Sequence, residues 1–205
     1  MSLANVARAF APVAIIGAAL APASAAPSTA AADLAKVQAH MSSADSMTAN
    51  FLQTDGRGRS AAGTLQLKRP GMVRFQYGSN DLLLVADGNR LYFIDYLVGQ
   101  KSSWALNKTP LGLLLGDNPN VKSFARIQPS NDPRVVVVRA SRQPYGTLIL
   151  AFLRSPSAPG GLQLYGWTAI DAQNKRTKVT LSDVRYNVAV PASAFTFTEP
   201  KKRAR

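Results

Sequence analysis

Cysteine is absent from all 205 residues, which excludes thiol catalysis, cysteine metal sites and disulfide stapling, so stability must come from packing. Histidine occurs once, as His40, with no metal-ligand spacing around it. It reads as a surface or partly buried structural side chain rather than a ligand. Acids are scarce, 11 against 24 Lys and Arg. All but Glu199 are Asp, mostly in turns such as Asp87-Gly88 and Asp132-Pro133, where the side chain serves turn geometry. No G-x-S-x-G, H-E-x-x-H or phosphate-binding loop occurs, and no base with an orienting partner can be named. The chain therefore reads as a non-enzyme with no metal and no cofactor. Past the first 25 residues no apolar run is long enough to cross a bilayer, which needs about 20 residues.

Those first residues are different in kind. A weakly basic start with Arg8 leads into the apolar stretch Phe10 to Leu20 and then the small residues Ala21-Pro22-Ala23-Ser24-Ala25. This is the pattern of a secretory signal peptide over 1–25, with Ala23-Ser24-Ala25 as the cleavage site. Residues 26–32, rich in Ala, Ser and Pro, read as a flexible start. Residues 33–200 read as a single domain and 201–205 as a basic tail. The formal net charge is +13, and loss of Arg8 with the leader leaves +12. Most basic residues are scattered singly, and the only run is the tail Lys201-Lys202-Arg203-Ala204-Arg205. With an export signal in front, nucleic acid is not the expected partner. Anionic lipid or acidic protein surfaces remain, beside a merely solubilising charge excess.

Hydrophobic periodicity places one short amphipathic helix over about 33–41, where Leu34, Val37 and Met41 recur at three and four residues. Nearly everything after it alternates as strand: 47–51, 64–69, 72–77, 82–86, 90–95, 135–140, 147–153, 162–171, 177–186 and a short 195–197. Asp87-Gly88-Asn89 is a hairpin signal, and the tight connections argue for an antiparallel meander. Thr109-Pro110-Leu111-Gly112-Leu113-Leu114-Leu115-Gly116 reads as a two-turn helix, capped by Thr109, opened by Pro110 and ended by Gly116. Being apolar all round, it must be covered on more than one side, as a lid would be.

One strand breaks its own pattern. In Thr64-Leu65-Gln66-Leu67-Lys68-Arg69, parity puts Leu65, Leu67 and Arg69 on one face. A guanidinium on an apolar face is either a charge at a strand end or a group that holds something inside. Val73, Phe75 and Tyr77 are candidate walls of the same face, with ordinary core packing as the alternative. Arg74 points the other way, toward solvent. Within 82–85 and 91–94 periodicity cannot choose the face, because both runs are apolar throughout.

The stretch Phe51-Leu52-Gln53, then Gly63-Thr64-Leu65-Gln66-Leu67-Lys68-Arg69-Pro70-Gly71-Met72-Val73-Arg74-Phe75, then Val85-Ala86-Asp87-Gly88-Asn89-Arg90-Leu91-Tyr92-Phe93 resembles the LolA family of periplasmic lipoprotein carriers. Thr109-Pro110-Leu111 and Phe195-Thr196-Phe197-Thr198-Glu199-Pro200 also look like that family. The resemblance implies a mainly β (α+β) fold: an unclosed antiparallel half-barrel of roughly eleven strands, with short helices as a lid over an apolar cavity. It implies a periplasmic, monomeric carrier of outer-membrane lipoproteins. Such a carrier takes their acyl chains from an inner-membrane lipoprotein-releasing ABC complex and passes them to an outer-membrane receptor or an anionic membrane surface. The arginine of the R-P motif maps onto Arg69 and is implied to hydrogen-bond to the lid and govern its opening. Leu111, Leu113, Leu114 and Leu115 are the expected lid contacts, and Leu65, Leu67, Val73, Phe75 and Tyr77 the expected cavity wall. A lipid-sensing domain or a carrier of another lipid would share the same scaffold.

Overall fold

The structure is a computed structural model that describes residues 29–78, 80–116, 120–142 and 144–201, with the side chains of Leu113, Leu114 and Arg142 outside that set. The leader at 1–25, residues 26–28 of the expected flexible start, Asp117 and tail residues 202–205 all lie outside the described residues.

A helix α1 (Thr29–Ser43) is followed by strands β1 (Ser46–Asp55), β2 (Ser60–Lys68), β3 (Met72–Tyr77), β4 (Leu82–Asp87), β5 (Arg90–Asp95) and β6 (Gln100–Ala105). A 3-10 turn (Leu106–Lys108) and two single-turn helices, α2 (Gly112–Leu115) and α3 (Val121–Phe124), lead into β7 (Ala125–Gln128). Then come β8 (Val135–Arg142), β9 (Gly146–Arg154), a 3-10 turn at Pro159–Gly161, β10 (Leu162–Ile170), β11 (Arg176–Tyr186) and a 3-10 turn at Ala192–Phe195. The strands form one sheet in the order β6-β5-β4-β3-β2-β1-β11-β10-β9-β8-β7, antiparallel throughout. Its first and last strands by position, β6 and β7, do not pair, so the sheet is an unclosed half-barrel of the kind expected.

Alternation along each strand fixes what the two faces carry. The concave face presents Met47, Ala49 and Phe51 of β1, Leu65 of β2, Val73, Phe75 and Tyr77 of β3, and Val136, Val138, Leu150 and Phe152 of β8 and β9. Val37 and Met41 of α1 complete the same core, so α1 lies across the concave side. Phe51 and Phe75 meet edge to face at a centroid distance of 5.3 Å, and Phe75 meets Trp167 at 6.0 Å. Gly160 sets how closely α1 can approach: a Cβ there would lie 2.4 Å from the His40 nitrogen and 2.6 Å from the Lys36 carbonyl oxygen.

The convex face carries a second, smaller core that periodicity leaves unresolved. Leu83 and Val85 of β4 and Ile94 of β5 point outward and are covered by Val190, Phe195 and Phe197, which follow the last strand. Both faces of β4 and β5 are therefore buried, which is why their sequences read as continuous apolar runs. Leu82, Leu84, Ala86 and Leu91 take the concave side.

Several local expectations are corrected here. Residues 195–197 are not a strand: Phe195 ends a 3-10 turn and the chain continues extended. Arg74 does point away from Val73 and Phe75, but that side is not solvent. Its Nη1 donates to the carbonyls of Ala194 (3.2 Å) and Thr196 (3.0 Å), and its Nη2 to Gln76 Oε1 (2.6 Å). The two-turn helix expected at 110–115 is only one turn, α2, with Pro110 and Leu111 in a turn before it, although Thr109 Oγ1 does accept the Gly112 N–H at 3.3 Å. Helix α1 begins at Thr29 and runs to Ser43, longer at both ends than the periodic stretch at 33–41.

Candidate functional site

The concave face closes over its own helices. Among the described residues, a void of about 40 Å³ remains under the end of α1, lined by Met41, Ala44, Leu67, Arg69, Leu150 and Phe152 among others. That is space for one or two water-sized groups, since a water fills about 30 Å³ of liquid. Val73, Phe75 and Tyr77 face this interior and are buried, as are Leu65 and Leu115, while Leu67 and Leu111 pack against it half-exposed. The structure thus brings the expected wall residues together on one face, against side chains of α1.

Arg69 follows directly on β2 and lies under the C-terminal end of α1. Its Nε donates to the Ala44 carbonyl at 3.1 Å, its Nη1 to the Gly116 carbonyl just past α2 at 3.3 Å, and its Nη2 approaches the Met41 sulfur at 3.3 Å. One guanidinium therefore holds the end of α1 and the end of α2 to the same strand end. The neighbouring turn adds a fourth link, the Gly71 N–H donating to the Leu115 carbonyl at 2.7 Å. Gly71 sits at φ +74°, and a Cβ there would lie 2.7 Å from the Gly88 Cα, so a larger residue would push the β2–β3 turn off the β4–β5 turn. Among the described residues no carboxylate bonds to Arg69, and burial pulls its pKa down, with the Asp45 charge opposing.

The other end of α1 is held in a different way. Arg154, the last residue of β9, grips Asp33 with both terminal nitrogens at 2.7 and 2.8 Å and donates its Nε to the Pro133 carbonyl at 2.9 Å. Asp33 is only 7% exposed, and the Arg154 hydrogen bonds hold its carboxyl below the ordinary 3.8. Between these two ends, His40 is 4% exposed rather than at the surface. Its Nδ1–H donates to the carbonyls of Leu162 (2.8 Å) and Pro159 (3.0 Å), and its ring packs edge on against Phe152 and Tyr186. Burial holds it neutral by lowering its pKa from 6.5. Helix α3 joins the cover through its Val121 N–H, which donates to Gln38 Oε1 of α1 at 2.9 Å.

From the sequence alone, Asp33 and Ala44 have no part in the site, His40 reads only as a structural side chain and Met41 only as part of the helix stripe. The signal was present: Asp33, Val37, His40, Met41 and Ala44 recur at three and four residues, so a carboxylate and an imidazole lie on the stripe that α1 buries. Of the expected lid residues, Leu111 and Leu115 reach the core, while the side chains of Leu113 and Leu114 lie outside the described residues. Among the described residues no cluster of three potential metal ligands occurs, and no buried side-chain polar atom lacks a partner.

The family model described as outer membrane lipoprotein carrier protein LolA matches residues 42–198, a span that holds Arg69, α2 and the segment on the convex face. An outer-membrane lipoprotein carrier protein of Pseudomonas aeruginosa is 32% identical over 174 residues, covering 78% of this chain and 80% of that relative. One from Chromobacterium violaceum is 27% identical over 199 residues, covering 91% and 93%. A crystal structure of a LolA superfamily protein from Nitrosomonas europaea aligns over 82% of this chain and 98% of that one, with 13% identity and a TM-score of 0.44.

Proposed function

Because the chain belongs to the LolA family of outer membrane lipoprotein carrier proteins, we propose that it is an exported periplasmic carrier whose concave face receives the acyl chains of lipoproteins. It takes them from an inner-membrane releasing ABC complex and hands them to an outer-membrane acceptor. The observation that carries this reading is Arg69, a half-buried cation that bonds to backbone carbonyls of two cover elements above an apolar face.

The energetics favour such a device. Burying one CH₂ contributes about 0.8 kcal/mol, so a fully enclosed 16-carbon chain would contribute on the order of 10 kcal/mol. A rigid, pre-opened pocket would hold that cargo too tightly for hand-over. Here the void of about 40 Å³ is far too small for an acyl chain, so cargo enters only by displacing α1 and α2. Displacement breaks the Arg69 hydrogen bonds and uncovers Val37 and Met41, which offsets part of the acyl gain. The net affinity is lowered, while a cargo unable to lift the cover is refused.

The test is to incubate the purified protein with spheroplasts and follow newly made lipoproteins. Release into the soluble fraction as a complex with the carrier is the expected result. No release from spheroplasts that do release lipoproteins to a known carrier would overturn the reading, and mass spectrometry of co-purified material would identify a different lipid cargo.

A further inference from the structure

The convex face is covered over only part of its width. Across β3 to β5 the segment carrying Val190, Phe195 and Phe197 buries it. Across β7 to β11 no described element covers it, and the residues that alternate away from the core are set out by the strand register. Arg126 of β7 stands directly opposite Arg139 of β8, Arg139 opposite Ile149 of β9, Ile149 opposite Thr168 of β10, and Thr168 opposite Lys178 of β11. The next row holds Val137 and Ala151, which are only half-buried.

Two features of this face are unexplained by folding. Two arginines directly opposite on adjacent antiparallel strands have Cβ atoms about 5 Å apart, and like charges there destabilise the sheet. Arg126 turns its Nη1 back to the carbonyls of Ala125 and Lys122, whereas Arg139 and Lys178 are exposed and their side chains make no hydrogen bond or ion pair among the described residues. The acids near the strand ends are already engaged: Asp132 by Arg134, Asp55 by Arg59, and Asp171 by the amides of its own turn. Asp183, on this side of β11, accepts the Asn50 amide. The face therefore offers free cations, with half-buried aliphatic side chains between them, to something negatively charged.

We propose that the convex face of β7 to β11 is a docking surface for an anionic phospholipid bilayer, with Arg126, Arg139 and Lys178 meeting the headgroups. The charge complementarity favours a headgroup layer because the three cations lie along one row that crosses five strands, about 4.8 Å apart per strand, rather than converging on a pocket. Docking through the convex face leaves α1, α2 and Arg69 on the opposite side, free to open. The inference goes beyond the carrier reading, since a carrier can work through protein partners alone, and it stands or fails independently of the cargo.

The experiment is cosedimentation of the full chain with vesicles of pure phosphatidylcholine and with vesicles containing phosphatidylglycerol, at low and at physiological salt. The wild type is expected to bind only the anionic vesicles and to lose binding as salt rises. Replacing both Arg139→Gln and Lys178→Gln, which breaks no contact in the fold, is expected to weaken the partition by about 30-fold, the loss of two surface cations. Replacing Arg90→Gln and Lys201→Gln removes the same charge from the other half of the molecule and is expected to weaken it far less. Equal weakening by the two pairs would mean that net charge alone drives adsorption and would overturn the assignment. Wild-type failure to bind anionic vesicles would overturn it too, including the case where the face instead captures an acidic protein.

Discussion

The two ends of α1 are both held by an arginine from the sheet, and they are held in opposite ways. At the N-terminal end Arg154 meets a carboxylate, bidentate, with its third nitrogen on a carbonyl. At the C-terminal end Arg69 meets two carbonyl oxygens and a thioether at 3.1 to 3.3 Å. Removing a buried carboxylate's only cation strands a charge, whereas a guanidinium leaving carbonyls can exchange them for water. The first arrangement is a pivot and the second a catch. On the carrier reading proposed above, opening is a swing of α1 about Asp33 that lifts Met41 and Ala44 from the void beneath.

The strongest way to break this contrast is to remove the pivot. Asp33→Ala leaves Arg154 without its carboxylate; because a third of that side chain is exposed, the expected loss is about 2 kcal/mol rather than the 3–5 of a fully buried pair. Urea denaturation measures it, and a loss below about 0.5 kcal/mol would make the pair an ordinary surface bridge. The lowered pKa of Asp33 also means that its contribution is present above its ordinary 3.8 and fades as pH falls through the lower folded value. That fade should be missing in the variant.

Removing the catch should cost less and act more locally. Arg69→Leu is expected to lose about 1 kcal/mol, because its hydrogen bonds are long and to neutral acceptors. Hydrogen exchange should quicken at residues 41–45 and 112–116 and stay unchanged at 33–37. Uniform quickening along α1 would show that the helix has no fixed end. The same variant should take up lipoproteins from spheroplasts yet fail to hand them on to added outer membranes, and transfer to those membranes at the wild-type level would remove Arg69 from the mechanism.

His40 sharpens the comparison from the middle of the helix. Its folded pKa is depressed, so below its ordinary 6.5 the unfolded chain binds a proton that the native one does not. Stability should therefore be flat above about pH 7 and decline as pH falls below 6.5 through the lower folded value. Arg69 is the charged group that bears on His40, and Phe152 and Tyr186 pack on its ring. Comparing urea midpoints at about pH 7.5 and 5.5 for the wild type and His40→Gln checks this. An equal decline in both proteins would assign the loss to other groups.

Most strands were legible in the sequence because each buries one face and so alternates. Strands β6 and β7 were not: β7 is only the four residues Ala125–Gln128, and in β6, Gln100–Ala105, Lys101 and Ser102-Ser103 give no apolar period and Trp104 is left half-exposed at the sheet edge. The side of Leu83 and Val85 could not be read either, since it depends on Val190 and Phe195, a hundred residues later. The same segment turns Arg74 from a surface charge into a clamp. Arg69's inward parity was readable from Leu65 and Leu67, but its partners on α1 were not, because the loop joining α1 to β1 decides which carbonyl comes within reach. Asp33 was placed at the start of a helix with no hint that Arg154, 121 residues on, would meet it.

The opening of α1 away from the concave face by an acyl chain can be measured directly. With no native cysteine, Ser42→Cys on α1 and Thr64→Cys on β2 accept spin labels at single sites, and electron–electron distances can be recorded before and after adding a triacylated lipopeptide. Longer distances on binding, already partly populated without lipopeptide when Arg69→Leu is added, are the predicted result. A distance distribution that stays the same with lipopeptide bound would contradict it.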